Sequence, residues 1–195
     1  MYSKRLTSGL VMILLLVLCS CASSQDEDIA KLKAMRITLP LNDMEYLASF
    51  AETRQKQDSL QSELSFVVYK DRDTCSPCEV SHLGQWNSII KKAKAEIPVK
   101  FFFIFAPKEE EHHNVKHLYK SRKFLQSIYL DSHLAFERCN PELNNPRFHS
   151  FLMDSEGKLL YVGDPTENYS NEKNLLNVLK YCAEKGQTTL NESLN

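Results

Sequence analysis

The sequence predicts an α/β domain: a mixed central sheet flanked by helices on both faces, preceded by a short strand–helix extension. Compact β-branched and aromatic runs alternate with segments whose apolar residues recur every three or four positions. The last two such runs are joined by a four-residue turn, which makes them an antiparallel hairpin and the sheet a mixed one. With 195 residues, 43% apolar and 25% charged, the chain suffices for one domain with a real core. A net charge of −1 gives no electrostatic case for a nucleic-acid partner. The five glycines are too scattered to build a phosphate-cradling loop. No sustained heptad, low-complexity tract or internal repeat is present.

The elements follow in order. Met35 to Leu39 alternates apolar and polar and predicts a strand stopped by Pro40. Asn42-Asp43-Met44-Glu45 has capping-box spacing and predicts a helix to about residue 63, with Leu47, Phe50, Leu60 and Leu64 inward. Ser65 to Tyr69 reads as a buried strand, followed by a polar loop and Cys75-Ser76-Pro77-Cys78. From Pro77 the period turns helical, with Val80, Leu83, Trp86, Ile89, Ile90 and Ala93 on one face. Proline suits a first helical turn, where its missing N–H would be unpaired anyway. Val99 to Phe105 should be a central strand, 109–125 a charged amphipathic helix, and Ser127 to Leu130 a short strand.

Asp131 to Arg147 reads as mostly irregular, anchored by Leu134 and Phe136. Phe148–Met153 and Lys158–Val162 flank Asp154-Ser155-Glu156-Gly157, a hairpin turn in which glycine supplies a positive φ. A last helix runs from Ser170 to Lys185, buries Leu175, Leu176, Leu179, Cys182 and Ala183, and should stop at Gly186. The domain is thus expected over 35–186, with a disordered tail at 187–195.

The first residues carry an address. Lys4 and Arg5 precede an apolar run, Leu10 to Cys19, too short to span a bilayer. This reads as a secretory signal over 1–20. Leu18-Cys19-Ser20-Cys21 resembles a bacterial lipobox, which makes Cys21 the lipidated first residue of the mature chain. An ordinary cleaved signal ending near Ala22 is the alternative. Cleavage before Cys21 leaves 22 cations against 25 anions, a net charge of −3. Residues 21–34 are then anchor and tether, with the acidic stretch Gln25-Asp26-Glu27-Asp28 within them. The absence of aspartate after Cys21 points towards the outer membrane, on its periplasmic side or at the surface. Cys75, Cys78, Cys139 and Cys182 remain in a compartment where disulfides persist.

Two cysteines three apart, where a strand meets a helix, have a specific use. The helix N-terminus offers unpaired N–H groups and the positive end of the macrodipole. A thiolate there is stabilised, so Cys75 is expected to attack a target disulfide and Cys78, one turn inside and shielded, to resolve the mixed disulfide. A structural disulfide and half of a zinc site are the other readings. Zinc usually draws four ligands. His112, His113 and His117 include an i, i+4 pair, but in a charged stretch they read as a solvated cluster. No metal or cofactor is therefore assigned. Cys182 reads as a buried, inert thiol, with a Cys139–Cys182 disulfide left open. The acceptor-like Asn168-Tyr169-Ser170 and Asn191-Glu192-Ser193 read as chance.

The stretch from Phe66-Val67-Val68-Tyr69 through Cys75-Ser76-Pro77-Cys78 resembles the active-site junction of thioredoxin-fold proteins. Phe151-Leu152-Met153-Asp154-Ser155-Glu156-Gly157-Lys158-Leu159-Leu160-Tyr161-Val162-Gly163 resembles the hairpin of their TlpA-like and redoxin-like branch. With the lipobox, the whole is similar to thioredoxin-like lipoproteins of Bacteroidetes. The resemblance covers roughly residues 60–185 and implies dithiol–disulfide exchange with envelope proteins, no bound cofactor and a membrane electron donor as one source of reducing power. The family's cis-proline, which lines the substrate loop, falls on Phe148 or His149 here, with Pro146 two residues early. The family's buried acid, six residues before the first cysteine, is Tyr69, so a base for Cys78 must come from elsewhere, such as His149 or water. Thr74 replaces the usual tryptophan, and Glu79 beside Cys78 opposes the dipole. The leading expectation is a lipid-anchored thiol–disulfide oxidoreductase. A catalytically weak binding module of the same fold and a metal chaperone using Cys75, Cys78 and a histidine are its rivals.

Overall fold

A computed structural model describes residues 34–49, 62–122 and 124–193. The signal peptide, Cys21, the tether up to residue 33 and the stretch 50–61 of the helix expected from Asn42 to about residue 63 lie outside them. The chain divides into two units, Met1–Met35 and Arg36–Asn195, and the sheet and its helices belong to the second. Strands β1 (Glu45–Leu47), β2 (Leu64–Lys70), β3 (Val99–Phe105), β4 (Ile128–Leu130), β5 (Ser150–Met153) and β6 (Leu159–Val162) form one sheet in the order β1-β4-β3-β2-β5-β6. β2, β3 and β4 are parallel neighbours, while β1, β5 and β6 join antiparallel. The longest register runs from Leu64 opposite Val99 to Lys70 opposite Phe105. These are the two longest strands, and the burial of most of their residues fits a central place in the sheet.

Alternation along β2 builds the two layers. Phe66 and Val68 join a core with Phe101, Phe103 and Phe105 of β3, covered by α1 (Ser76–His82), α2 (Trp86–Glu96), α3 (His112–Ser121) and α5 (Tyr169–Ser193). Tyr69 faces the other way, its ring 4.5 Å from that of Phe136 on α4 (Ala135–Cys139). Val80, Leu83, Trp86, Ile89, Ile90 and Ala93 are all buried, as their spacing requires. The expected single helix is divided by a 3-10 turn, Leu83–Gln85, around Gly84. The α/β class with a mixed, two-sided sheet is the one observed, and the C-x-x-C pair sits at the β2–α1 junction that the thioredoxin-like resemblance implied.

The N-terminal extension differs from expectation. Residues 36–40 form no strand. Ile37 N–H donates to the Gly157 carbonyl at 2.8 Å, and Thr38 exchanges two bonds with the Asn140 side chain, both 2.9 Å. The capping-box segment forms a 3-10 turn, Leu41–Asp43, and then β1, because Glu45, Tyr46 and Leu47 pair with Leu130, Tyr129 and Ile128. A distant strand thus overrides a local helix signal.

Four other boundaries move. The helix expected over 109–125 is a 3-10 turn, Glu109–Glu111, followed by α3 to Ser121. The region expected to be irregular holds α4. Asp131, fully buried, accepts from Ala135 N and Phe136 N at 2.8 Å each and so caps that helix. Leu134, expected as an anchor, is half-buried at φ 54°. β5 starts at Ser150, because Pro146–Phe148 forms a 3-10 turn. α5 passes through Gly186 to Ser193, so the stop is not seen, and of the tail expected to be disordered over 187–195 the described residues 187–193 are helical.

The hairpin is as expected, with Asp154 Oδ1 accepting from Glu156 N and Lys158 N at 2.9 Å. Gly157 has φ 77°, and a Cβ there would lie 2.4 Å from the Ile37 carbonyl oxygen. Gly157→Ala should therefore lower stability by about 2 kcal/mol or more, read as a reduced urea midpoint. No change in midpoint would contradict this packing. Among the described residues, no helix is long and apolar enough to cross a membrane.

Candidate functional site

β2 ends at Lys70, and a four-residue loop carries the chain to the cysteines. Asp71 shapes that loop: Oδ1 accepts from Asp73 N at 3.1 Å, Thr74 N at 2.9 Å and the Thr74 hydroxyl at 2.7 Å. This turn delivers Cys75 to the N-cap of α1, where no side chain caps the helix. Cys75 and Cys78 are joined by a disulfide, with Cα atoms 5.3 Å apart.

Both cysteines are exposed. For Cys75 that fits an attacking sulfur. For Cys78 it corrects the expected shielding. Ser76, Val80 and Leu83 point inward. At about 100° per residue, Cys78 lies roughly opposite Val80 and shares the outer side with Cys75 and His82. His82 Nδ1–H donates to the Cys78 carbonyl at 2.8 Å.

Glu79 is the residue expected to oppose the dipole. Its Oε2 lies 2.9 Å from Lys70 Nζ, which is also 3.8 Å from Asp164 Oδ2. The carboxylate beside Cys78 is thus balanced by a cation at the end of β2. Only half-buried, these pairs shape the local field more than they add stability.

Behind the loop is a buried polar cluster. Tyr69, six residues before Cys75, donates its hydroxyl to Glu137 Oε1 at 2.8 Å. Burial, then the Glu137 bond, pushes its phenol far above the usual tyrosine range, so it stays protonated. His149 is buried, its ring centroid 5.1 Å from that of Tyr69 in an edge-on arrangement. Its main-chain carbonyl accepts from Tyr69 N at 2.7 Å, which ties the segment before β5 to the end of β2. Its Nε2 lies 2.9 Å from the Leu143 carbonyl and its Nδ1 lies 3.6 Å from Asp71 Oδ2. Burial lowers the His149 pKa, against the raising effects of the Leu143 bond and Asp71.

The three expected substrate-loop residues therefore separate. His149 is drawn against Asp71. Pro146 is exposed at the start of the 3-10 turn, and Phe148 is half-buried at its end. Among the described residues every peptide is trans, the one before Pro146 included. Cys139 and Cys182 are free, so the disulfide left open between them does not form. Cys182 is half-buried rather than buried as expected, and that partial burial raises its pKa. His112 meets Glu45 at 3.2 Å. Among the described residues no group of three or more His, Cys, Asp or Glu is arranged to hold a metal. Sequence reasoning missed Asp71, Lys70 and Glu137. The Asp71-to-Thr74 spacing was a readable turn signal, whereas Glu137 is 68 residues from its tyrosine partner.

No family model matches the chain, and no curated protein matches it. Among solved structures it is similar to an uncharacterized thioredoxin-like protein from Porphyromonas gingivalis, at 20% identity and a TM-score of 0.45, over 64% of this chain and 78% of that one. It is also similar to a thioredoxin-like protein solved in its oxidized form, at 15% identity and a TM-score of 0.47, over 76% of this chain and 93% of that one.

Proposed function

We propose that this protein is a thiol–disulfide oxidoreductase of the cell envelope, held to the membrane by a lipid on Cys21. The observation that carries the reading is a solvent-exposed Cys75–Cys78 disulfide whose first cysteine caps the helix that follows a buried central strand. Once the pair is reduced, the Cys75 thiolate attacks one sulfur of a substrate disulfide and the other substrate sulfur leaves as a thiolate. Cys78 then attacks the Cys75 sulfur, restores the intramolecular disulfide and releases the second substrate thiol. Two electrons from a membrane donor reset the pair for reduction. Run backwards, the same steps oxidise substrate dithiols.

Unpaired N–H groups at the start of α1 favour the Cys75 thiolate, and Lys70 offsets the Glu79 charge that would work against it. The test is equilibration of the pair against a glutathione series, with insulin reduction as the rate assay. The expected result is turnover and a potential above about −300 mV, the range of labile rather than structural disulfides. A lower potential with no turnover would leave the pair a structural clasp.

A further inference from the structure

We propose that Asp71 and His149 form a proton-holding pair coupled to the redox state of the Cys75–Cys78 disulfide, so that reduction of the disulfide tightens proton binding at His149. This deepens the exchange chemistry proposed above and rests on it for its purpose.

The geometry fixes the roles. A carbonyl can only accept, so His149 Nε2 carries a hydrogen and donates to Leu143 O at 2.9 Å. In neutral His149 the Nδ1 lone pair then faces Asp71 Oδ2 at 3.6 Å, acceptor against acceptor. A proton on Nδ1 turns that opposition into an ion pair. The other charged or titratable groups facing the ring are Tyr69 and Lys70 from β2 and Glu137 from α4. Tyr69 stays protonated, Lys70 opposes the proton, and Glu137 favours it.

The link to sulfur runs through one carboxylate. Asp71 Oδ1 holds both the N–H and the hydroxyl of Thr74, the residue before Cys75. A new negative charge at Cys75 raises the affinity of this neighbourhood for a cation, and the site built to become one is His149. The balance is complete with a dithiol as reductant. The dithiol gives two electrons and two protons and closes to its own disulfide. The Cys75–Cys78 bond breaks, one proton goes to Cys78, the other is divided between His149 and the solvent, and Cys75 is left as thiolate. Asp71 and His149 are positioning residues here, since neither is placed against the substrate.

Imidazole resonances of His149 in the full domain, titrated by NMR in the oxidised protein and again under excess dithiothreitol, test the coupling. The excess reductant secures the reduced state even if exchange with proteins proves absent, so failure of the inference and failure of the function are distinguishable. The expected result is proton binding at His149 about threefold or more tighter in the reduced state. Asp71→Asn should shrink that difference, and His149→Gln should remove the matching inflection from the potential–pH curve. Identical His149 titrations in the two states would overturn the proposal. So would an unchanged inflection in His149→Gln.

Discussion

Cys78→Ser is expected to accumulate disulfide-linked partners through Cys75, whereas Cys75→Ser accumulates none. Insulin reduction should fall at least about a hundredfold in either variant. The asymmetry follows from the site. Cys75 is exposed at the N-cap of α1, where backbone N–H groups favour a thiolate. Cys78 is linked to it at a Cα separation of 5.3 Å and supplies the second attack. Without Cys78 the mixed disulfide has no internal nucleophile to release it. Non-reducing electrophoresis of native envelope reads the result. Equal trapping by both variants, or none by either, would leave a binding module that kept the fold without the exchange.

Phe66→Ala should cost about 3–5 kcal/mol. Phe66 is fully buried in β2, with its ring 5.7 Å from Trp86 and 5.6 Å from Phe101. Truncation opens a void where strands β2 and β3 meet helix α2, and the ring system around it cannot collapse without moving the sheet. Trp86 is the only tryptophan, so its fluorescence during urea unfolding reports the core directly. A midpoint within error of the parent would contradict the packing.

Stability should also depend on pH through His149. Burial lowers its pKa in the folded chain, so below about 6.5 the unfolded chain binds more protons than the folded one. The contribution of neutral His149 is present above that pH and is lost as pH falls through it. His149→Gln should flatten that part of the stability profile. An unchanged profile would mean that the buried imidazole is not the group responsible.

What the sequence made legible is what local periodicity and turn chemistry encode. The inward face from Val80 to Ala93, the two central strands, the Asp154–Gly157 hairpin and the position of the cysteine pair all follow from spacing alone. Read further, the same spacing places Cys78 on the outer side of α1, opposite Val80. The misses are non-local. β1 exists because Tyr46 and its neighbours pair with a strand more than 80 residues away, against a capping-box signal that a sequence reader sees first. The Tyr69–Glu137 bond spans 68 residues, and Lys70 reaches Asp164 across the sheet. Gly186 fails as a stop because an isolated glycine costs a helix only about 1 kcal/mol, which α5 tolerates.

The most direct measurement is the pH dependence of iodoacetamide alkylation at Cys75 in the Cys78→Ser variant. A thiolate held at the helix N-terminus predicts a reactivity midpoint clearly below the value of about 8.5 for free cysteine. A midpoint at or above that value would show that the N-terminus of α1 does not hold the sulfur ionised, and would contradict the proposed chemistry at its centre.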